Sequence, residues 1–97
     1  MELVLDGKVI INKQDLFTSL KAQINSCELY GANLDALWDV LSSIKETINI
    51  EIIHYLDLRI NLGDYVDSLF QLFTDLKNIN GEVNIILLDE KDLVESV

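Results

Sequence analysis

The sequence predicts an α/β domain in which a parallel sheet is covered by helices. Three short apolar segments, which begin near Leu3, Ile48 and Val83, are typical of covered strands. The stretches between them carry apolar residues at helical spacing. Strands that are joined through helices are generally parallel, with right-handed crossovers, so the helices are expected to pack against the sheet.

The first strand is expected to turn at Gly7. Two apolar triplets, over residues 3–5 and 9–11, flank Asp6, Gly7 and Lys8. An Asp-Gly pair between apolar runs favours a β-hairpin. At a minimum, the chain has a buried first strand that turns sharply at Gly7.

Two helices are predicted to follow this strand. Asn12 is a candidate N-cap with Asp15 three residues later, and the apolar spacing that follows predicts a helix over residues 13–25. Asn33 is the next candidate N-cap, and the apolar residues after it recur at i, i+3, i+4 and i+7. A second helix is therefore expected to begin at Leu34.

The second half of the chain predicts a strand, a helix and a further strand. The strand covers residues 48–55, the helix runs from about Asp64 to the pair Asn80-Gly81, and the last strand covers residues 83–88. The charged residues after this strand are expected to fray. We therefore expect one domain over residues 1–90 and a charged tail over residues 91–97.

The charge balance points to a cationic partner. The 97 residues include 7 Lys and Arg against 17 Asp and Glu, which gives a net charge of −10. Such a chain repels phosphate backbones and anionic lipid headgroups, so direct binding to nucleic acid or to a membrane surface is disfavoured. A basic protein is the natural counterpart.

The sequence offers little that would support catalysis. Cys27 is the only cysteine and His54 the only histidine, and no serine lies in a Gly-x-Ser-x-Gly motif. One histidine does not furnish a usual zinc site, and the glycines do not form a phosphate-binding loop. We predict no enzyme activity and no cofactor. A single cysteine and an N-terminus without a basic, apolar leader predict a cytoplasmic protein.

Two aspartates of the second helix share one outward face. On a helical projection Leu37 and Leu41 point to one side, whereas Asp35 and Asp39 lie 40° apart on another side, beside Trp38. Like charges four residues apart slightly destabilise a helix, so local stability gives little reason for the pair. On spacing alone, a solvated acidic face remains the simpler explanation and a binding patch the alternative.

The segment over residues 30–39 resembles the central motif of the barstar family, the intracellular inhibitors of barnase-like ribonucleases. It reads Tyr-Gly-Ala-Asn-Leu-Asp-Ala-Leu-Trp-Asp. The resemblance covers nearly the whole chain and includes the strand before Gly7, the helix start at Asp15-Leu16, the helix with Leu69, Phe73 and Lys77, and the strand with Ile85, Ile86 and Leu87. It implies a three-stranded parallel sheet in the order 1-2-3, packed with helices.

The resemblance also implies a partner and a set of contact residues. In such proteins the second helix and the loop before it block the active site of a basic, extracellular-type ribonuclease. By position in the motif, Asp39 would be the central phosphate mimic, with Asp35 beside it and Trp38 at the rim. Asp75 matches a family glutamate that reaches a peripheral arginine. The implied partner-binding residues are Leu29, Tyr30, Gly31, Asn33, Asp35, Trp38, Asp39 and Asp75.

The sequence therefore predicts a ribonuclease inhibitor that is a monomer when free. Leu29-Tyr30 stands where the family has two tyrosines, so one aromatic contact with the enzyme is missing. This departure favours an alternative, an acidic interaction module of the same fold that binds a different basic protein. A carboxylate-dependent or metal-dependent hydrolase is a further alternative, against which the missing ligand set argues.

Overall fold

The computed structural model describes residues 1–24 and 33–88 and confirms the predicted α/β class. Within these residues the chain forms a parallel sheet in the order β1-β2-β3, as the family resemblance implies. The strands and helices in chain order are β1 (Glu2–Asp6), α1 (Lys13–Ile24), α2 (Leu34–Ser42), β2 (Ile48–Ile53), α3 (Tyr55–Leu62), α4 (Tyr65–Ile79) and β3 (Val83–Leu88). Residue 25, where the first helix was expected to end, and the predicted tail over residues 91–97 lie outside the described residues.

One face of the sheet forms the centre of the core. Alternate residues of β1 and β2 are fully buried, because successive side chains of a strand point to opposite faces, whereas in β3 only Val83 is buried. The helices cover this face with apolar side chains that include Leu20, Leu41 and Phe73. The buried strand residues are Leu3, Leu5, Ile48, Ile50, Ile52 and Val83. Among the described helices, none is long and apolar enough to cross a membrane.

The predicted hairpin at Gly7 is wrong, although the sharp turn is present. The amide N–H groups of Val9 and Ile10 donate to the Asp6 carbonyl at 3.1 and 2.9 Å, so residues 9–11 leave the sheet in a tight turn and form no strand. An Asp-Gly hairpin needs positive φ at both central residues, and neither Asp6 nor Gly7 adopts it. The side chain of Val9 is consequently 65% exposed.

The strand predicted over residues 48–55 ends at Ile53, and the sequence prediction missed α3. His54 adopts a left-handed conformation with φ of 54°, which reverses the chain before Tyr55 starts the helix. Apolar residues lie on opposite sides of α3, because Leu58 is buried whereas Ile60 is 79% exposed. A helix of this kind lacks the apolar stripe by which amphipathic helices are recognised.

The turn after β1 packs directly against the junction between β2 and α3. The Gly7 N–H donates to the Ile53 carbonyl at 2.9 Å, and Asn61 Nδ2 donates to the Gly7 carbonyl at 3.0 Å. A methyl group at Gly7 would overlap the His54 carbonyl oxygen and the Leu58 amide nitrogen. Glycine is required here because two backbones meet closely. A positive φ is not the reason, since Gly7 does not adopt one.

We expect Gly7→Ala to lower the free energy of unfolding by about 2 kcal/mol or more, because backbone atoms must move to admit the methyl group. Urea denaturation monitored by circular dichroism measures the change. Gly81→Ala is the matched control, since a methyl group there meets nothing within 4 Å and φ is not positive. Equal losses in the two variants would contradict the close packing at Gly7.

Candidate functional site

Helix α2 presents one face to the core and the other to solvent. It begins at the N-cap predicted from the sequence, where Asn33 Oδ1 accepts a hydrogen bond from the Ala36 N–H at 2.8 Å. This bond satisfies one of the free amides of the first turn. Leu37, Val40 and Leu41 are buried, so the packing fixes which residues of α2 face outward.

Asp35 and Asp39 are both exposed on the outer side of α2. Four residues correspond to about 40° around a helix and about 6 Å along it, so the two carboxylates lie one turn apart. Neither side chain forms a hydrogen bond or an ion pair with another residue in the described parts of the chain. The helix therefore holds two uncompensated negative charges in a fixed relation.

Trp38 borders these carboxylates and is half-buried. Its indole packs against the hydrophobic core, and part of the side chain remains accessible. Leu29, Tyr30 and Gly31, which the family resemblance places in the contact, lie outside the described residues.

Helix α4 packs against α2. Both helices lead into neighbouring parallel strands whose starts are joined by a hydrogen bond, from the Ile48 N–H to the Glu82 carbonyl at 3.0 Å. The ends of the two helices meet at an open cavity of about 340 Å³. Its lining residues are Ser42, Ile44, Lys45, Ile79 and Asn80.

Asp75, the third predicted carboxylate, lies on the helix that packs against α2. Asp75 is exposed and lies one helical turn before Ile79, on the flank of α4 that meets the end of α2. Asp39 likewise lies one turn before the end of α2. Asp39 and Asp75, which are 36 positions apart in the chain, thus each lie about one turn before the helix end that lines the cavity.

Gln71 is a site residue that the sequence analysis missed. Its Nε2 donates a hydrogen bond to Asp75 Oδ1 at 3.0 Å, one turn earlier on α4. The bond restrains the Asp75 side chain and leaves its other oxygen free to accept from a partner. The four-residue spacing of a glutamine and an aspartate on a predicted helix could have identified this pair.

The cations in the described region do not neutralise these three carboxylates. Arg59 pairs with both oxygens of Asp67 at 3.0 and 3.2 Å, and Asp67 raises the pKa of the Arg59 guanidinium through this hydrogen-bonded contact. Asp67 lies two turns before Asp75, on the side of α4 that meets α3. Lys13 lies over the ring of Tyr65.

We name the exposed carboxylates of Asp35, Asp39 and Asp75 the acidic surface. It can accept charge-assisted hydrogen bonds from arginine, lysine or protonated histidine side chains of a partner. Within residues 1–24 and 33–88, no group of three potential metal ligands is present. The arrangement is suited to the recognition of a basic surface.

We expect the two α2 aspartates to affect the stability of the free protein in opposite directions. Asp39 lies in the last turn, which contains no basic residue, and its charge is opposed by the helix dipole, whereas Asp35 in the first turn is favoured by it. Asp39→Asn should raise the free energy of unfolding by about 0.5 kcal/mol, and Asp35→Asn should lower it by about as much. Thermal and urea denaturation measure both changes, and a shift of the same sign in both variants would contradict this account.

Comparison with known proteins identifies the family. The model of the family described as Barstar (barnase inhibitor) matches residues 1–88. A protein of Bacillus subtilis (strain 168), named "Putative ribonuclease inhibitor YrdF", is 26% identical over 88 residues, which cover 89% of this chain and 97% of that relative. The match spans all the residues that the structure describes, and these residues form the parallel sheet and helices expected for the family. The chain therefore belongs to the Barstar (barnase inhibitor) family.

Proposed function

We propose that this protein inhibits a barnase-like ribonuclease by covering its active site with the acidic surface. The observation that carries the proposal is the pair Asp35 and Asp39, exposed on one helix without a counter-ion among the described residues. Family membership and the name of the Bacillus subtilis relative support a ribonuclease inhibitor.

The mechanism is competition with RNA. A ribonuclease must present a cationic cleft to bind the phosphates of its substrate, so a surface with carboxylates at matching positions occupies the same groups. Asp39 is proposed to contact the central arginine, lysine and histidine cluster, with Asp35 beside it and Asp75 reaching a peripheral cation. Inhibition then needs no catalytic step by this protein, which we propose acts in the cytoplasm.

Rigid placement of the carboxylates favours tight binding. Association restricts side chains and loops, and this loss of entropy reduces affinity. Asp35 and Asp39 are on a helix whose start is fixed by Asn33 and whose inner face is buried, so little backbone ordering remains. The Gln71 bond restrains Asp75 in the same way.

An acidic interaction module for another basic protein is the second candidate function. Leu29 replaces an aromatic residue that the family places against the enzyme, and this substitution favours a different or altered partner. The same acidic surface would be used, since Leu29 is not one of the residues that form it. Inhibition assays separate the two functions.

We expect an equimolar amount of this protein to suppress RNA cleavage by a barnase-like ribonuclease, and Asp39→Ala to weaken the complex by about 2–5 kcal/mol. The loss arises because a charge-assisted contact disappears and the cations of the enzyme stay buried without a partner. A fluorogenic RNA substrate and isothermal titration calorimetry provide the measurements.

Glu2→Ala is the matched control, because it removes one negative charge from an exposed residue of β1 rather than from α2 or α4. A comparable loss in both variants would place the contact elsewhere. Undiminished RNA cleavage in a large excess of the wild-type protein would contradict the inhibitor function, and binding without inhibition would favour the interaction module.

We expect the association rate to fall steeply with ionic strength, while the dissociation rate changes much less. A net charge of −10 attracts a basic partner over long distances, and this attraction is screened beyond about 8–10 Å at ordinary salt. Close contacts in the complex are screened less. Stopped-flow fluorescence across a salt series measures both rates, and a salt-independent association rate would exclude electrostatic steering.

A further inference from the structure

The sheet has a second face that no helix of the described chain covers. The connections from β1 to β2 and from β2 to β3 step across the sheet in one direction, and right-handed crossovers of this kind place their helices on one face. The helices accordingly pack with Leu3 and Ile50 in the core. The side chains of Val4, Ile53 and Leu88 point the other way, are half-buried and do not pack against the core. Parallel sheets usually have both faces covered, so this face is a candidate docking surface.

We name this second face the outer face; it consists of residues 2, 4 and 6 of β1, 49, 51 and 53 of β2 and 84, 86 and 88 of β3. The strand register sets these residues in rows across the sheet. In the middle row Glu51 lies between Val4 and Ile86, whose side chain is 40% exposed. In the row before it, Asn84 Nδ2 donates a hydrogen bond to Asn49 Oδ1 at 2.9 Å. Glu51, in contrast, forms no hydrogen bond or ion pair within residues 1–24 and 33–88.

The outer face carries negative charge only. Its carboxylates are those of Glu2, Asp6 and Glu51, and it contains no lysine, arginine or histidine. The apolar side chains of Val4 and Ile86 on either side of Glu51 fit the aliphatic stem of a lysine or arginine whose charged head reaches the carboxylate. The outer face therefore matches a partner that combines cations with apolar side chains.

We propose that the outer face binds a basic amphipathic helix of another protein, with an arginine or lysine of that helix paired to Glu51 and apolar residues packed on Val4 and Ile86. The dimensions suit a helix. Three strands span about 10 Å, close to the diameter of a helix, and strands of this length extend about 17–20 Å, as far as roughly 12 helical residues. Helices are also the elements that usually cover a parallel sheet.

Charge argues against two other occupants of the outer face. A second copy of this chain also carries a net charge of −10, and face-to-face pairing would bring two sets of carboxylates together. Residues 89–97 contain four acidic residues and one lysine, so this segment is negative as well. The proposed contact uses neither α2 nor α4, so it does not depend on the proposed ribonuclease inhibition.

Titration of the isotope-labelled full chain with a synthetic peptide tests the proposal. The probe has about 18 residues, with leucine at i, i+3, i+4 and i+7 and arginine at the other positions. Its binding should shift the NMR signals of Val4, Glu51 and Ile86. Glu51→Gln should raise the dissociation constant of the peptide, measured by calorimetry, by about fivefold or more, because a charge-assisted contact is lost.

Glu46→Gln is the matched control, since it removes the same charge from an exposed residue outside the outer face and should change the dissociation constant little. Ile86→Lys is a second variant, which places a cation beside Glu51 and should abolish binding. Ile60→Lys adds the same charge at an exposed isoleucine of α3 and should leave binding nearly unchanged. Circular dichroism establishes that each variant is folded.

The proposal would be overturned by the absence of peptide binding, by signal shifts confined to α2 and α4, or by equal effects of Glu51→Gln and Glu46→Gln. Equal binding of a peptide with glutamate in place of arginine would overturn it too, since charge would then play no part. Nuclear Overhauser contacts from residues 89–97 to the Ile86 methyl groups in the free chain would show that the chain covers its own outer face. A dimer of the free chain that shifts the same signals would show that a second copy does so, and either result would also overturn the proposal.

Discussion

The parallel arrangement of β1, β2 and β3 is the constraint on which the rest of the molecule depends. Two strands that run the same way must be joined by a segment that returns over the sheet, and a helix is the usual solution. α2 and α4 each end where the next strand begins, and the starts of β2 and β3 are hydrogen-bonded neighbours. The two helices therefore pack against each other, and their ends line one cavity.

The acidic surface is a by-product of this packing that a binding function can exploit. The buried stripes of α2 and α4 fix the rotation of each helix about its axis, so the outward positions are determined by the core. Asp39 is not favoured by its own helix, whose last turn contains no basic residue. The proposed binding function gives this exposed carboxylate a role that helix stability does not.

Close contacts between backbones organise the opposite end of the sheet. Gly7 lies against His54 and Leu58, and Asn61 holds the turn after β1 by bonds to the Gly7 and Ile10 carbonyls. α3 is thereby fixed over the carboxyl ends of the strands, away from the ends of α2 and α4.

The linear pattern of residues was enough to predict the strands, three of the four described helices and the N-caps at Asn12 and Asn33, because each depends on side chains close in the chain. It also predicted that Asp35 and Asp39 share a face.

The turn at Gly7 and helix α3 required the tertiary structure, since an Asp-Gly pair fits more than one turn and α3 has no apolar stripe. The same holds for the proximity of α4 to α2, the Gln71 bond to Asp75 and the closure of the outer β1 edge, where Gln23 of α1 accepts from the Val4 N–H and donates to the Val4 carbonyl. The contact between α2 and α4 and the closure of β1 join residues far apart in sequence, and which of them meet is decided by how the helices pack on the sheet. The hydrogen bond from Gln71 to Asp75 lies within α4. Its relevance to the acidic surface follows only from the packing of α4 against α2.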